Sequence, residues 1–241
     1  MYITRRWLWG LGAGVVLGLL AYSGMSDSVR YSNVRTVSRV STNDKIVAIT
    51  IDDGPHPKTT PEILTVLREK DVKVTFFVLG VNAQKNPRLL AQELLDGHEI
   101  GSHAYSHAKL STLSQEKIDE ELNQTENAIM LIGSKPTLFR PPGGEYNSRV
   151  LSSVQHKGYT MVLWSVDPHD WRRPSVNDLV ETVMAKVRPG SIILLHDGQY
   201  PLPTPKALAI LIDRLKSEGY RLVTVSELLN SSETRSSSDG I

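Results

Sequence analysis

Ile46-Val47-Ala48-Ile49-Thr50-Ile51-Asp52-Asp53-Gly54-Pro55 is the stretch that decides the fold. Ile46–Ile51 has the length and the apolar, β-branched composition of a strand buried on both faces. Two carboxylates close it, and Gly-Pro stops it. Neighbouring strand residues point to opposite sides, so a turn at the strand end is what lets both carboxylates reach one pocket. Two carboxylates in one pocket need separate roles: one can bind a cation while the other stays free as a base. Taken alone, the segment also reads as an ordinary Asp-Gly-Pro turn with a helix cap.

Working outward, similar strand-like runs follow at Val74–Leu79, Glu99–Ser102, Thr137–Arg140, Thr160–Trp164, Ile192–His196 and Arg221–Val225. Amphipathic segments at Thr60–Lys70, Pro87–Asp96, Ser114–Ile132, Ser148–Lys157, Val176–Val187 and Thr204–Glu218 are expected to be helices. Pro61 near one helix start and Gly97, Gly133 and Gly219 after helix ends punctuate the pattern. Alternating strands and helices imply a parallel sheet covered by helices, open or closed into a barrel. Polar residues fall at the C-terminal ends of successive strands: Asp52 and Asp53, His103, Arg140, Asp167 and Asp170, and His196. In a parallel β/α barrel these ends converge on one face, so the pattern favours a barrel and locates a site.

Each cluster suggests a chemistry. His103 and His107 stand four residues apart, and a helical turn there would put both imidazoles on one face. Two His and one Asp make an N,N,O set for zinc or a similar divalent ion, with positions left open. Arg140 precedes Pro141-Pro142-Gly143-Gly144, a stiff loop whose glycines permit close approach to a ligand, and Arg140 itself is suited to hold a carboxylate. In Asp167-Pro168-His169-Asp170-Trp171, Asp170 can orient a histidine and Trp171 can wall a sugar ring. His196 ends an apolar strand, where proton transfer is a natural role. A lone His at such a position is more often structural, so its weight comes from the other clusters.

The flanks differ in character. Arg5 and Arg6 precede an uncharged apolar run, Trp7–Tyr22, the pattern of an export signal, with residues 1–25 expected to be a signal peptide or an N-terminal membrane anchor. Residues 26–44 read as a linker, 45–229 as the domain and 230–241 as a disordered tail. The 241-residue chain is 40% hydrophobic, enough for a substantial core, and carries a net charge of +1, which argues against nucleic acid as a partner. The absence of cysteine excludes disulfides, thiolate metal sites and cysteine nucleophiles. An exported monomer, touching the membrane only through its N-terminal segment, is expected.

Five segments in this order resemble the polysaccharide deacetylases of carbohydrate esterase family four, which share the NodB homology domain. They are Thr50-Ile51-Asp52-Asp53-Gly54, His103 to His107, Arg140 to Gly144, Asp167 to Trp171 and Leu194-Leu195-His196. Thr75–Gly80 and Gly97–Gly101 also look like the family's connecting segments. The resemblance implies a distorted, TIM-barrel-like (β/α) barrel and a divalent metal, zinc first and cobalt, nickel or manganese after it, held by Asp53, His103 and His107. It implies Asp52 as general base oriented by Arg140, and His196 as general acid supported by Asp170. Gly143, Trp171 and Leu194 would line the substrate and acetyl pocket, and the substrate would be an N-acetylated polysaccharide. Three positions depart from the family pattern: Ile51 stands for Phe, Ala104 for Ser or Thr, and Gly143 for Tyr. Ala104 removes a hydroxyl that would brace the metal loop, and Gly143 keeps a backbone donor while removing a pocket wall. The alternatives are an amidase acting on a small amide, a catalytically impaired carbohydrate-binding protein of the same fold, or a purely structural barrel.

Overall fold

A computed structural model describes residues 36–238. The expected export segment, residues 1–25, and the first part of the expected linker lie outside the described residues. Among the described residues, eight strands run in chain order: β1 (Thr36–Val37), β2 (Ile46–Asp52), β3 (Thr75–Val78), β4 (Glu99–Ser102), β5 (Leu138–Phe139), β6 (Thr160–Val162), β7 (Ile192–His196) and β8 (Arg221–Val223). The helices between them are α1 (Thr59–Glu69), α2 (Gly80–Lys85), α3 (Pro87–Leu95), α4 (Gln115–Met130), α5 (Ser148–Lys157), α6 (Val176–Lys186), α7 (Thr204–Ser217) and α8 (Val225–Ser238).

All named strand pairs are parallel, in the order β1-β6-β5-β4-β3-β2-β7. β8 shares the free side of β2 with β7: it pairs with Ile46–Ala48, and β7 pairs with Ala48–Asp52. The ladder does not close as a regular barrel. The isolated bridges Val166↔Ile193 and Arg39↔Ser191 tie the chain after β6 and after β1 to the β7 side, which makes the distorted (β/α) barrel that was expected.

The period-2 alternation of the strands sorts side chains between two cores. On β2, Val47, Ile49 and Ile51 pack outward with Ile63, Leu67, Leu208 and Leu211 of α1 and α7. Ile46 and Ala48 face inward with Phe77, Leu138, Val162 and Ile192. The inward row of β2 therefore continues through Thr50 to Asp52, and that of β7 through Leu194 to His196. Fully burying each such aliphatic side chain contributes about 1.5–3 kcal/mol. Gly101 of β4 lies on the inner row because a Cβ there would meet the Phe77 ring at 2.6 Å. Helix ends are capped locally: Asn147 accepts from the N–H groups of Arg149 and Val150, and Gly158 ends α5 at φ 71°.

Several expectations shift. β5 and β6 are shorter than Thr137–Arg140 and Thr160–Trp164, because the chain leaves the sheet to shape loops at the site. α2 was not expected; it starts at a glycine and spans six residues, too short for a periodic signature. In the stretch read as linker, Thr36–Val37 add a strand beside β6, and Val40 is buried. The last expected strand ends at Val223, and Val225 opens α8, which runs through the expected tail as far as Ser238. Val225, Leu228 and Leu229 anchor α8 in the inner core, so tertiary burial rather than a long periodic pattern holds it. Among the described residues, no helix is long and apolar enough to cross a membrane.

Candidate active site

Asp52 ends the inward row of β2 and is buried. Alternation would send Asp53 outward, but its backbone turns to φ 77°, and both carboxylates line the same cavity. A non-glycine residue in this region costs on the order of 1–3 kcal/mol and persists only where its surroundings enforce it. Here the Asp53 N–H bonds the Phe77 carbonyl at 3.2 Å, and the Asp53 carbonyl accepts from Asn82 Nδ2 at 2.7 Å.

Arg140 follows β5 and is fully buried beneath the cavity. Its guanidinium donates to Asp52 Oδ1 at 2.7 Å, to Thr50 Oγ1 at 2.8 Å, and to the carbonyls of Val162 and Leu163 at 3.1 and 3.0 Å. It also lies 4.2 Å from the Phe77 ring centroid. These contacts use the planar fork in a way an ammonium cannot match.

The histidine loop is not the helical turn that the spacing suggested. Ala104 and His107 both take positive φ, 65° and 64°, and the loop doubles back on itself. The two imidazoles still converge, with ring centroids 5.3 Å apart. His103 Nδ1 donates to the Arg140 carbonyl at 2.8 Å, which leaves Nε2 as the free lone pair. That Nε2 lies 3.4 Å from Asp53 Oδ1, and His107 Nε2 lies 3.3 Å from the same oxygen. Ala104 is fully buried in an apolar cluster with Leu110, Ile118 and Leu122, so no hydroxyl braces the loop there. Glu121 of α4 does so instead. Its carboxylate accepts from the N–H groups of Tyr105 and Ser106, both at 2.8 Å, and from the Ser106 hydroxyl at 2.6 Å.

Asp53, His103 and His107 present ligand atoms within 4.8 Å of one another. Asp53 Oδ1 is buried without a hydrogen-bond donor, an arrangement that is costly unless a cation satisfies it. Burial pushes the Asp53 carboxyl up, but His103 foremost, then His196 and His107, outweigh it and bring its pKa to about 2. Burial pushes His103 down, yet Asp52 and then Asp53 raise it above its ordinary value, so a proton competes for the same nitrogen as a metal. This N,N,O set, buried at His103 and open to the cavity mouth at His107, therefore fits the divalent cation that was expected.

Across the cavity, His196 at the end of β7 donates from Nδ1 to Asp170 Oδ1 at 2.7 Å. Asp170 is fully buried and also accepts from the N–H groups of His196 and Trp171, at 2.8 and 3.0 Å, and from Thr204 Oγ1 at 2.6 Å. Burial alone would lower the His196 pKa; the hydrogen bond and charge of Asp170, helped by Asp52 and Asp53, raise it to about 9.

The cavity holds about 340 Å³ and is lined by Asp52, Asp53, His103, His107 and His196 together with Gly143, Trp171 and Leu194. Arg140 and Asp170 lie behind it as supports. All ten residues singled out in the sequence thus belong to one site. A Cβ on Gly143 would meet nothing within 4 Å, so the wall expected to be missing is open space. Trp164 and Gln199 also line the cavity, while Thr204 and Glu121, with Thr50 of the first motif, brace its groups; apart from Thr50, none of these carried a local sequence signal.

A profile described as polysaccharide deacetylase matches residues 39–162. The chain is 44% identical over 193 residues to a peptidoglycan-N-acetylglucosamine deacetylase of Bacillus cereus, covering 79% of this chain and 91% of that one. It is 41% identical over 170 residues to a chitooligosaccharide deacetylase of Sinorhizobium fredii, covering 70% and 79%. The solved structure of peptidoglycan deacetylase PdaC from Bacillus subtilis matches with a TM-score of 0.76 at 37% identity, over 83% of this chain and 97% of that one.

Proposed function

Because this chain belongs to the polysaccharide deacetylase family, we propose that it is a metal-dependent hydrolase that removes N-acetyl groups from an extracellular or cell-wall polysaccharide containing N-acetylglucosamine, with peptidoglycan first among the candidates. The observation that carries this reading is the convergence of an N,N,O ligand set, an arginine-held carboxylate and a carboxylate-backed histidine on one cavity.

Asp53, His103 and His107 would hold the cation, with zinc the first expectation. When bound, the cation supplies Lewis-acid charge to an amide carbonyl and acidity to a water. Asp52 is the general base. Its Oδ1 is committed to Arg140, so Oδ2 takes the proton as the water's oxygen adds to the acetamide carbon. His196 is the general acid. With Nδ1 committed to Asp170 and a pKa raised to about 9, it is protonated at neutral pH and delivers its Nε2 proton to the departing nitrogen. The C–N bond then breaks to acetate and a free amine, which solves the problem that an unprotonated amide nitrogen leaves very poorly. Trp171 stands 42% exposed at the mouth, suited to cover a sugar face, while Leu194 and Gly143 shape the acetyl pocket.

The arginine pair and apolar run at the N-terminus support export, with the domain facing the cell wall or medium and the N-terminal segment either cleaved or retained as an anchor. The chain is read as a monomer. The test is acetate release from N-acetylglucosamine oligomers and from peptidoglycan by the metal-loaded protein, beside a chelated control. Acetate that appears with metal and vanishes with chelator is expected; no acetate from either polymer by a folded, metal-loaded protein sinks the reading.

A further inference from the structure

Beside the catalytic cavity runs a second groove of about 420 Å³, lined by Pro57, Lys85, Asn86, Pro87, Arg88 and Leu89. It lies at the corner between α2 and α3, and that corner is strapped to the loop carrying the two catalytic carboxylates. Asn82 Nδ2 bonds the Asp53 carbonyl at 2.7 Å, and Asn86 Nδ2 bonds the Pro55 carbonyl at 3.1 Å. Its wall at Pro57 continues directly into Lys58, whose ammonium lies 4.8 Å over the ring of Tyr200. Tyr200 is 46% exposed, and the preceding residue, Gln199, lines the catalytic cavity. The Gln199 carbonyl accepts from the Thr59 hydroxyl, so these loops hold the groove and the cavity side by side.

The charge of this groove is one-sided. Lys85 and Arg88 line it and no carboxylate does. Among the described residues, Lys58, Lys85 and Arg88 form no ion pair with a carboxylate. Like charges gathered around a concavity repel one another and focus a positive potential into it, an arrangement that an anionic ligand relieves. The net charge of +1 shows that this is local placement rather than general basicity.

We propose that this groove is a subsite for a carboxylate-bearing stretch of the substrate polymer, which engages Lys58, Lys85 and Arg88 while an N-acetyl group occupies the catalytic cavity. It deepens the deacetylase reading and rests on it for the reacting group: the preferred substrate is an acidic N-acetylated glycan rather than a neutral one. Tyr200, with a cation already on one face, offers its exposed edge to a sugar ring between the two sites.

Charge reversal tests this away from the chemistry. Lys85→Glu/Arg88→Glu, and the milder Lys85→Gln/Arg88→Gln, are compared with wild type on peptidoglycan fragments with free peptide carboxylates and on neutral N-acetylglucosamine oligomers of equal length. Both calorimetric binding and acetate release are followed. Reversal is expected to raise Kd and KM for the acidic fragments by about fivefold to tenfold, the size expected for the loss of two exposed ion pairs. The kcat and the constants for the neutral oligomers stay put, and the wild-type preference for acidic fragments shrinks as salt is raised. Equal responses of both ligands, or none, overturn the subsite. Charge-sensitive binding without acetate from either ligand leaves the subsite standing and overturns the deacetylase reading instead.

Discussion

The backbone carbonyl of Arg140 accepts the Nδ1–H of His103 at 2.8 Å, while the guanidinium of the same arginine holds Asp52 at 2.7 Å. One buried residue therefore sets the tautomer of the proposed metal ligand His103 and the orientation of the proposed general base Asp52. Both groups are held in register by a residue that does not line the cavity.

Replacing Arg140 with Met keeps the carbonyl but strands Asp52 as a buried charge without its cation. Breaking a buried pair from one side costs about 3–5 kcal/mol. Urea melts should show a loss of that size, with acetate release falling at least about 100-fold. A variant as stable as wild type would show that the pair contributes nothing.

Asp52→Asn preserves shape and leaves Asp53, His103 and His107 untouched. Metal content by elemental analysis is expected to be unchanged, and turnover to drop by roughly 10²–10⁴-fold. Near-normal turnover would hand the base role to another group.

The alkaline side of the pH profile belongs to His196. Its folded pKa is raised from 6.5 to about 9, so the acid stays protonated through neutrality and kcat falls as pH rises through about 9. The same shift stabilises the fold: the contribution is fully present below about 6.5 and is lost as pH rises through about 9. Asp170→Asn removes the charge behind the ring and should move the alkaline limb toward lower pH. An unmoved limb in that variant would separate the profile from this pair.

Glu121→Ala removes three hydrogen bonds from the loop between the two histidines without touching either. Supports of this kind typically affect metal affinity by about 10–100-fold. Competition with a chelator should show a loss in that range, while circular dichroism remains native. Glu121→Gln should recover part of it, because the amide oxygen still accepts.

Acid should release the metal early. Because Asp52 and Asp53 raise the His103 pKa above 6.5, protons compete for its Nε2 before they would for a free imidazole. Apparent metal affinity is expected to begin falling above pH 6.5 on acidification. Affinity that holds flat to well below that pH would remove His103 from the ligand set.

Local chemistry made much of this protein legible in its sequence. The strands Ile46–Asp52, Glu99–Ser102 and Ile192–His196 and the helix Ser148–Lys157 follow from apolar runs, period and caps, which depend on near neighbours alone. The ordered polar residues at strand ends located the site, since parallel strands must deliver their C-terminal ends to one face. Alternation along β2 and β7 also places Asp52 and His196 inside.

Other features belong to the folded chain alone. The positive φ of Asp53 and Ala104 is uncommon for residues with a side chain, and burial and hydrogen bonds to distant residues impose it. The brace from Glu121 and the strand at Thr36–Val37 each depend on a partner far along the chain. Period and propensity report only what a segment prefers beside its own neighbours. Which carboxylate turns back into the pocket, and which side chain holds it there, is settled when the barrel brings separated segments within hydrogen-bonding distance.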